Sequence, residues 1–191
     1  VPRNAEQQAR HEWRMYAPGS LEGATLGILG LGAIGQALAE RAKAFGMRVL
    51  GIQRTPRACP WADDVLGPED TGRVLAESVY VVVLLHLTPE TKGSLGAAAL
   101  DALRPEAVLV NMARGEIVDE AAVATMLREE RLRGAALDVF DEEPLPASSP
   151  LWDVPNLVVT PHVAGFSRDY LPQSFGIFAD NVRRLERGDP L

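Results

Sequence analysis

Short apolar runs alternate with amphipathic stretches along almost the whole chain. Thr25-Leu26-Gly27-Ile28-Leu29 reads as a buried strand. Behind it Ile34, Leu38, Ala42 and Phe45 recur at helical spacing, predicting a helix over 33–45 with those four side chains on one face. Gly46 closes that helix, and Arg48-Val49-Leu50-Gly51-Ile52 is a second strand. A connection rich in Pro, Arg and Gly, 53–68, leads to a short helix over 69–77. Residues 80–85 form a continuous β-branched and apolar run, the pattern of a strand covered on both faces of a parallel sheet. The alternation continues with a helix over 96–103, a strand over 107–111, a helix over 119–130 and strands over 135–139 and 157–160. An amphipathic helix over 168–187, with Asp180 and Arg183 on its polar face, closes the chain. Ahead of all this, residues 4–16 read as a polar helix anchored by Trp13 and Met15 and stopped by Pro18-Gly19. Regular alternation of this kind predicts an α/β fold, a doubly wound parallel sheet with right-handed crossovers.

The 191 residues, 47% hydrophobic and 24% charged, are enough for one domain with a sizeable core. A net charge of −7 argues against general nucleic-acid binding, which needs a basic surface, but leaves room for a small anion held by a few arginines. The longest apolar run, 79–87, is broken by His86 and is too short to span a membrane. Cys59, the single cysteine, allows neither an internal disulfide nor a cysteine-based metal site, fits a reducing, cytoplasmic setting, and reads as a loop bystander. Val1-Pro2-Arg3-Asn4 has neither a signal-peptide pattern nor an initiator methionine, and a fragment or processed chain is the expectation.

The most specific local signal is Gly30-Leu31-Gly32-Ala33-Ile34-Gly35, between the first strand and the first long helix. Gly30 would allow a tight turn, Gly32 a close ligand approach and Gly35 close packing of helix on strand, with a dinucleotide pyrophosphate on the helix N-terminus. In such folds ligands sit at the carboxyl ends of strands, and Gln53-Arg54, His86, Asn111 to Arg114, Asp138 and His162 all follow strands.

NAD-binding sites usually place an acid after the second strand, about 20 residues beyond the glycines, to bond the adenosine ribose. This chain offers Gln53, Arg54 and Arg57 instead, which favours NADP over NAD because two guanidiniums suit a 2′-phosphate. The alternative is that these arginines are solvated loop charges. His162, held between Pro161 and the small residues up to Gly165, is a candidate proton donor and acceptor near neutral pH. A carboxylate from Asp138 through Pro144 could orient it, and Arg114 could grip a substrate carboxylate bidentately. Arginine, histidine and carboxylate beside a nicotinamide suggest hydride transfer to or from a 2-oxo or 2-hydroxy acid.

These motifs, with Leu87-Thr88-Pro89-Glu90-Thr91-Lys92-Gly93, together resemble the D-isomer-specific 2-hydroxyacid dehydrogenase family, which includes glyoxylate/hydroxypyruvate reductases and phosphoglycerate dehydrogenases. The resemblance covers about 21–165. It implies that Arg114 binds the substrate carboxylate and carbonyl oxygen, that His162 protonates that oxygen, and that Glu143 holds and tunes His162, while Asp141 and Glu142 face solvent. It further implies that Asp138 bonds the nicotinamide carboxamide, that Ala33 and Ile34 lend N–H groups to the pyrophosphate, and that Gly165 belongs to the cofactor site. No metal is implied. NAD-preferring members usually carry Asp where Gln53 stands, and many carry proline where His86 stands, leaving His86 either near substrate or as a strand cap. The implied organisation is a hinge and arm over 1–20, a dinucleotide-binding domain over 21–165, and a helix over 166–191 returning to a substrate domain of about a hundred residues ahead of this chain. A homodimer built through the nucleotide domain is also implied. Two other readings stand beside the reductase: a dinucleotide-sensing, corepressor-type interaction module, and a cofactor-binding fragment without catalysis. The same scaffold also serves enzymes acting on other small anions such as formate or phosphite.

Overall fold

In the computed structural model, which describes residues 2–17 and 19–190, the chain forms two compact units, 1–161 and 162–191. The helix stop expected at Pro18 lies outside the described residues. The first unit contains β1 (Thr25–Leu29), α2 (Ala33–Ala44), β2 (Arg48–Ile52), β3 (Asp64–Leu66), α3 (Thr71–Glu77) and β4 (Tyr80–Val83). It continues with α4 (Ala97–Leu100), β5 (Val108–Asn111), α5 (Glu120–Arg128), β6 (Gly134–Leu137) and β7 (Leu157–Val159), and opens with α1 (Pro2–Ala9). The strands make one seven-stranded sheet in the order β3-β2-β1-β4-β5-β6-β7, and every pairing is parallel. This is the doubly wound α/β arrangement that the alternation predicts.

Side-chain alternation along β1 sorts the core into two layers. Leu26 and Ile28 join α2 residues Ala39 and Ala42, Val49 and Cys59 on one face. Leu29 joins Val74 and Leu75 of α3, and Val123, Ala124 and Leu127 of α5, on the other. β1, β2 and β4 thus bury apolar side chains in both layers, as strands inside a parallel sheet do. Cys59 is therefore not a loop bystander: its thiol is buried in the α2 layer.

Three expectations need correction. The buried face of α2 is Gly35, Ala39 and Ala42, whereas Ile34 and Phe45 are 69% and 61% exposed. Small residues win that face because the helix lies too close to the sheet for larger ones: a Cβ on Gly35 would stand 2.5 Å from the Gly30 carbonyl oxygen and 3.2 Å from Ile28. The leading helix ends at Ala9 rather than near residue 16, since His11 takes a left-handed φ of 53° and the Gln7 side chain accepts the Arg14 N–H. Finally, the 53–68 connection hides β3, a three-residue edge strand paired with β2 and too short to show a period.

The second unit holds α6 (Tyr170–Arg187), closed by Gly188 in the left-handed conformation and carrying an Asp180–Arg184 ion pair one turn apart. Among the described residues no helix is long and apolar enough to cross a membrane.

Gly35→Ala is expected to cost roughly 1–3 kcal/mol in denaturant unfolding, the usual price of overpacking. Gly72→Ala on α3, where an added Cβ meets nothing within 4 Å, should instead stabilise by about 0.4–1 kcal/mol.

Candidate active site

With all strands parallel, their carboxyl ends share one edge, and the strand order reverses between β1 and β4. The glycine-rich turn lies at that reversal. Gly30 has a φ of +106°, and a Cβ there would stand 2.6 Å from the Leu84 carbonyl oxygen, so the turn presses against the exit of β4. Its N–H and that of Leu31 both donate to the Ile52 carbonyl, at 3.2 and 2.9 Å, tying the turn to the end of β2 as well. Leu31 is fully buried and packs on Gly51. Gly32, by contrast, is exposed, and a Cβ on it would meet nothing within 4 Å. It is also the N-cap of α2 and brings no capping side chain, so the N–H groups of Ala33 and Ile34 have no intrahelical acceptor. An open main-chain surface beside a helix N-terminus fits a dinucleotide pyrophosphate.

After β2 the Gln53 amide is committed to the loop itself. Its Nε2 donates to the Leu31 carbonyl at 2.6 Å and its Oε1 accepts the Arg57 N–H at 3.0 Å. Arg54 and Arg57 are exposed. The Thr88 hydroxyl, its own backbone N–H and the charge of Arg54 hold the Glu90 carboxyl below its ordinary range, so the loops after β2 and β4 share one electrostatic environment. His86 is exposed, and its carbonyl accepts the Thr91 hydroxyl at 2.6 Å. The same hydroxyl accepts the Thr88 N–H at 2.8 Å, which closes the turn.

At the end of β5, Asn111 is only 1% exposed and braces the next turn: its Oδ1 accepts the Ala113 N–H and its Nδ2 donates to the Arg114 carbonyl, both at 3.1 Å. Arg114 leaves this turn in extended conformation with its side chain exposed, its Nη1 donating to the Ala113 carbonyl at 2.6 Å. A Cβ on the following residue, Gly115, would stand 2.0 Å from the Phe140 carbonyl carbon and 2.3 Å from the Asp141 nitrogen. Main chain therefore lies on main chain, and the arginine loop sits against the acidic loop that follows β6. Asp138, buried at the start of that loop, donates its N–H to the Asn111 carbonyl at 3.0 Å and accepts the Thr160 hydroxyl at 2.5 Å. Glu143 Oε1 accepts the Phe140 N–H at 2.9 Å. Glu120 at the start of α5 accepts the Asp141 N–H at 2.6 Å.

Arg114, Asp138 and Glu143 thus occupy neighbouring loops on the edge that also carries the glycine turn and the two arginines. His162 and Gly165 belong to the second unit, where both are exposed and His162 has a left-handed φ of 52°. Among the described residues no three histidine, cysteine, aspartate or glutamate side chains gather as metal ligands do. Sequence reasoning passed over Asn111 as a brace and Glu120 as a clamp. Asn111 stands inside the same motif as Arg114 and was legible there. Glu120 has the sequence signature of an ordinary first-turn acid, and nothing local signals a partner 21 residues away.

Residues 1–164 match the sequence profile described as D-isomer specific 2-hydroxyacid dehydrogenase, NAD binding domain. The chain belongs to this family. Glyoxylate/hydroxypyruvate reductase A of Escherichia fergusonii is 36% identical over 167 residues, covering 87% of this chain and 53% of the relative. A D-isomer specific 2-hydroxyacid dehydrogenase of Xanthobacter autotrophicus Py2, solved with NADPH and MES, superposes with a TM-score of 0.87 at 40% identity, covering all of this chain and 78% of the other. An NADPH-dependent glyoxylate/hydroxypyruvate reductase of Sinorhizobium meliloti, solved with NADP and sulfate, gives 0.90 at 33% identity, covering 100% and 61%. The chain spans about half the length of most of the curated dehydrogenases it matches. As the family's nucleotide-binding domain it has the glycine turn and the open helix terminus that a nicotinamide dinucleotide needs.

Two glycine substitutions separate scaffold from site. Gly115→Ala should drive the arginine loop off Phe140 and lower unfolding stability by about 1–3 kcal/mol. Gly32→Ala should unfold within about 0.5 kcal/mol of the parent, as a surface change does, yet weaken binding of a reduced nicotinamide dinucleotide in a fluorescence titration.

Proposed function

We propose that this chain is the coenzyme-binding part of an NADP-preferring reductase of small 2-oxo acids, acting in reverse on 2-hydroxy acids. The observation that carries the reading is the main-chain contact of Gly115 with Phe140 and Asp141, which sets the loop bearing Arg114 beside the loop bearing Asp138 and Glu143. Relatives named as glyoxylate and hydroxypyruvate reductases, and structures holding NADPH or NADP, support it.

When bound, the nicotinamide supplies the hydride. Arg114 grips the substrate carboxylate and polarises the carbonyl oxygen through its fork of donors. His162 gives a proton to that oxygen in reduction and takes it back in oxidation, and Glu143 holds the imidazole and favours its charged form. Asp138, fixed by the Thr160 hydroxyl, presents a carboxylate oxygen to the carboxamide. Gly30, Gly32, Ala33, Ile34 and Gly35 receive the pyrophosphate, and Gly165 lines the nicotinamide end. Gln53 shapes the adenosine loop, while Arg54 and Arg57 read the 2′-phosphate. No acid stands among residues 53–57 to repel it. NAD is the alternative coenzyme.

The reading extends to organisation. Residues 1–20 are the hinge and arm, 21–165 the dinucleotide-binding domain, and 166–191 a helix that meets the substrate domain. The exposed Phe175, Ile177, Phe178 and Leu185 on α6 support that last role. The assembly is a homodimer, a role for which Trp13 and Met15, 92% and 89% exposed, provide apolar surface. The setting is cytoplasmic, which suits a lone buried thiol.

In the complete polypeptide, NADPH should be oxidised in the presence of glyoxylate or hydroxypyruvate, and His162→Ala should abolish that turnover while leaving NADPH binding intact. Binding without turnover in the unmodified protein would identify a dinucleotide sensor instead. Arg54→Ala should weaken NADPH binding by about 1–3 kcal/mol, the scale of a hydrogen bond to a charged group, with NADH binding nearly unchanged. Equal losses for both coenzymes would remove Arg54 from 2′-phosphate recognition.

A further inference from the structure

Two acids open α5, and they do different work. Asp119 is the N-cap, its carboxylate accepting the Ala122 N–H at 2.9 Å. Glu120 turns away from its own helix and accepts the Asp141 N–H at 2.6 Å across the gap to the loop after β6. One residue earlier in that loop, the Phe140 N–H is accepted by Glu143 at 2.9 Å. Consecutive N–H groups of one turn are therefore held by two carboxylates, one from α5 and one from the loop itself. On the remaining side, Gly115 leaves no room for the turn to move toward the arginine loop, since even a methyl there would overlap Phe140. A first-turn acid that served only the helix dipole would have no reason to leave the helix axis.

We propose that Glu120 is a positioning residue for Glu143: it clamps the 140–143 turn from the α5 side and places a second negative charge within the electrostatic reach of the Glu143 carboxylate. The proposal rests on the role given to Glu143 above. The charged groups around the clamp are Asp119 on its own helix, Glu116 in the preceding turn, Lys92 from the loop after β4, and Asp141 and Glu143 across the gap. Burial first, and then the charges of Asp141, Glu143 and Asp119, push the Glu120 carboxyl up, against the stabilising Asp141 N–H. Burial with Glu116 and Asp119 pushes Asp141 up likewise, and Lys92 opposes it. The repulsion between Glu120 and Glu143 acts on both partners, so removing the Glu120 charge relieves Glu143 of it. A rigid turn keeps the Glu143 carboxylate in place between catalytic cycles.

The test compares Glu120→Gln with Glu120→Ala in the 191-residue chain, using amide hydrogen exchange and carbon-detected titration of the glutamate carboxyls. Gln keeps an acceptor and loses the charge. It should leave exchange at Asp141 within about twofold of the parent but lower the Glu143 titration midpoint by a few tenths of a pH unit, a drop that shrinks in high salt. Ala loses both, and exchange at Phe140 and Asp141 should quicken roughly tenfold while amides of the glycine turn stay unchanged. In the complete polypeptide, Ala should lower kcat without raising the KM for coenzyme, and Gln should restore most of the loss. An unmoved Glu143 midpoint in the Gln variant, or unchanged Asp141 exchange in the Ala variant, would overturn the proposal. Full turnover by Glu143→Gln would instead remove the catalytic role of Glu143 and leave the exchange and titration results standing.

Discussion

Main chain meets main chain at three places along the carboxyl edge of the sheet, and the rest of the site depends on those contacts. Gly30 touches the exit of β4, Gly35 touches the carbonyl of Gly30, and Gly115 touches the turn at Phe140. None has room for a Cβ. The first two fix where the turn after β1 lies against helix and sheet, and so where the open surface at Gly32 stands. The third brings together two loops whose strands are adjacent but whose chemistry is opposite, one carrying a guanidinium and the other carboxylates. Side chains then finish what the backbone contacts begin. Asn111 closes the arginine turn, Thr160 secures Asp138, and Glu120 with Glu143 secures the turn after β6.

Charge is distributed along this edge in a way the net value of −7 conceals. The loop after β2 carries two exposed arginines. The region where α5 meets the loop after β6 is acidic and partly buried, and two of its carboxyls are raised by burial and mutual repulsion. A ligand with phosphates at one end and a reacting ring at the other suits such a gradient. The exposed guanidiniums and the raised carboxyls thus stand in different loops of the same sheet edge.

Much of this was legible in the sequence, and what was not has physical causes. The β1 and β2 strands were read to the residue, because a five-residue apolar run bounded by glycines leaves little freedom of placement. The tight turn at Gly30 and the close helix packing at Gly35 were read from the motif and are both seen. The face of α2 was misread because apolar periodicity assumes that the largest side chains go inward. Where helix and sheet approach within a methyl group, the smallest do. The strand β3 escaped notice because three residues carry no period, and α1 was overextended because the chain turns left-handed at His11 without any glycine or proline. The arginines, Asp138 and Glu143 were legible as types at strand ends. The bonds of Thr160 to Asp138 and of Asp141 to Glu120 join residues 22 and 21 positions apart and leave no trace in local sequence.

The Gln53 amide ties two loops of the carboxyl edge together. It spans from the Leu31 carbonyl to the Arg57 N–H, so one side chain joins the glycine turn to the segment that carries both arginines. A carboxylate in its place keeps the acceptor for Arg57 but loses the donor, and sets two oxygens against each other at Leu31. A change from Gln53 to an acid therefore has to rebuild the link between the two loops as well as alter the local charge. Position 53 is thus part of the loop's architecture, and its side chain cannot change without moving two loops.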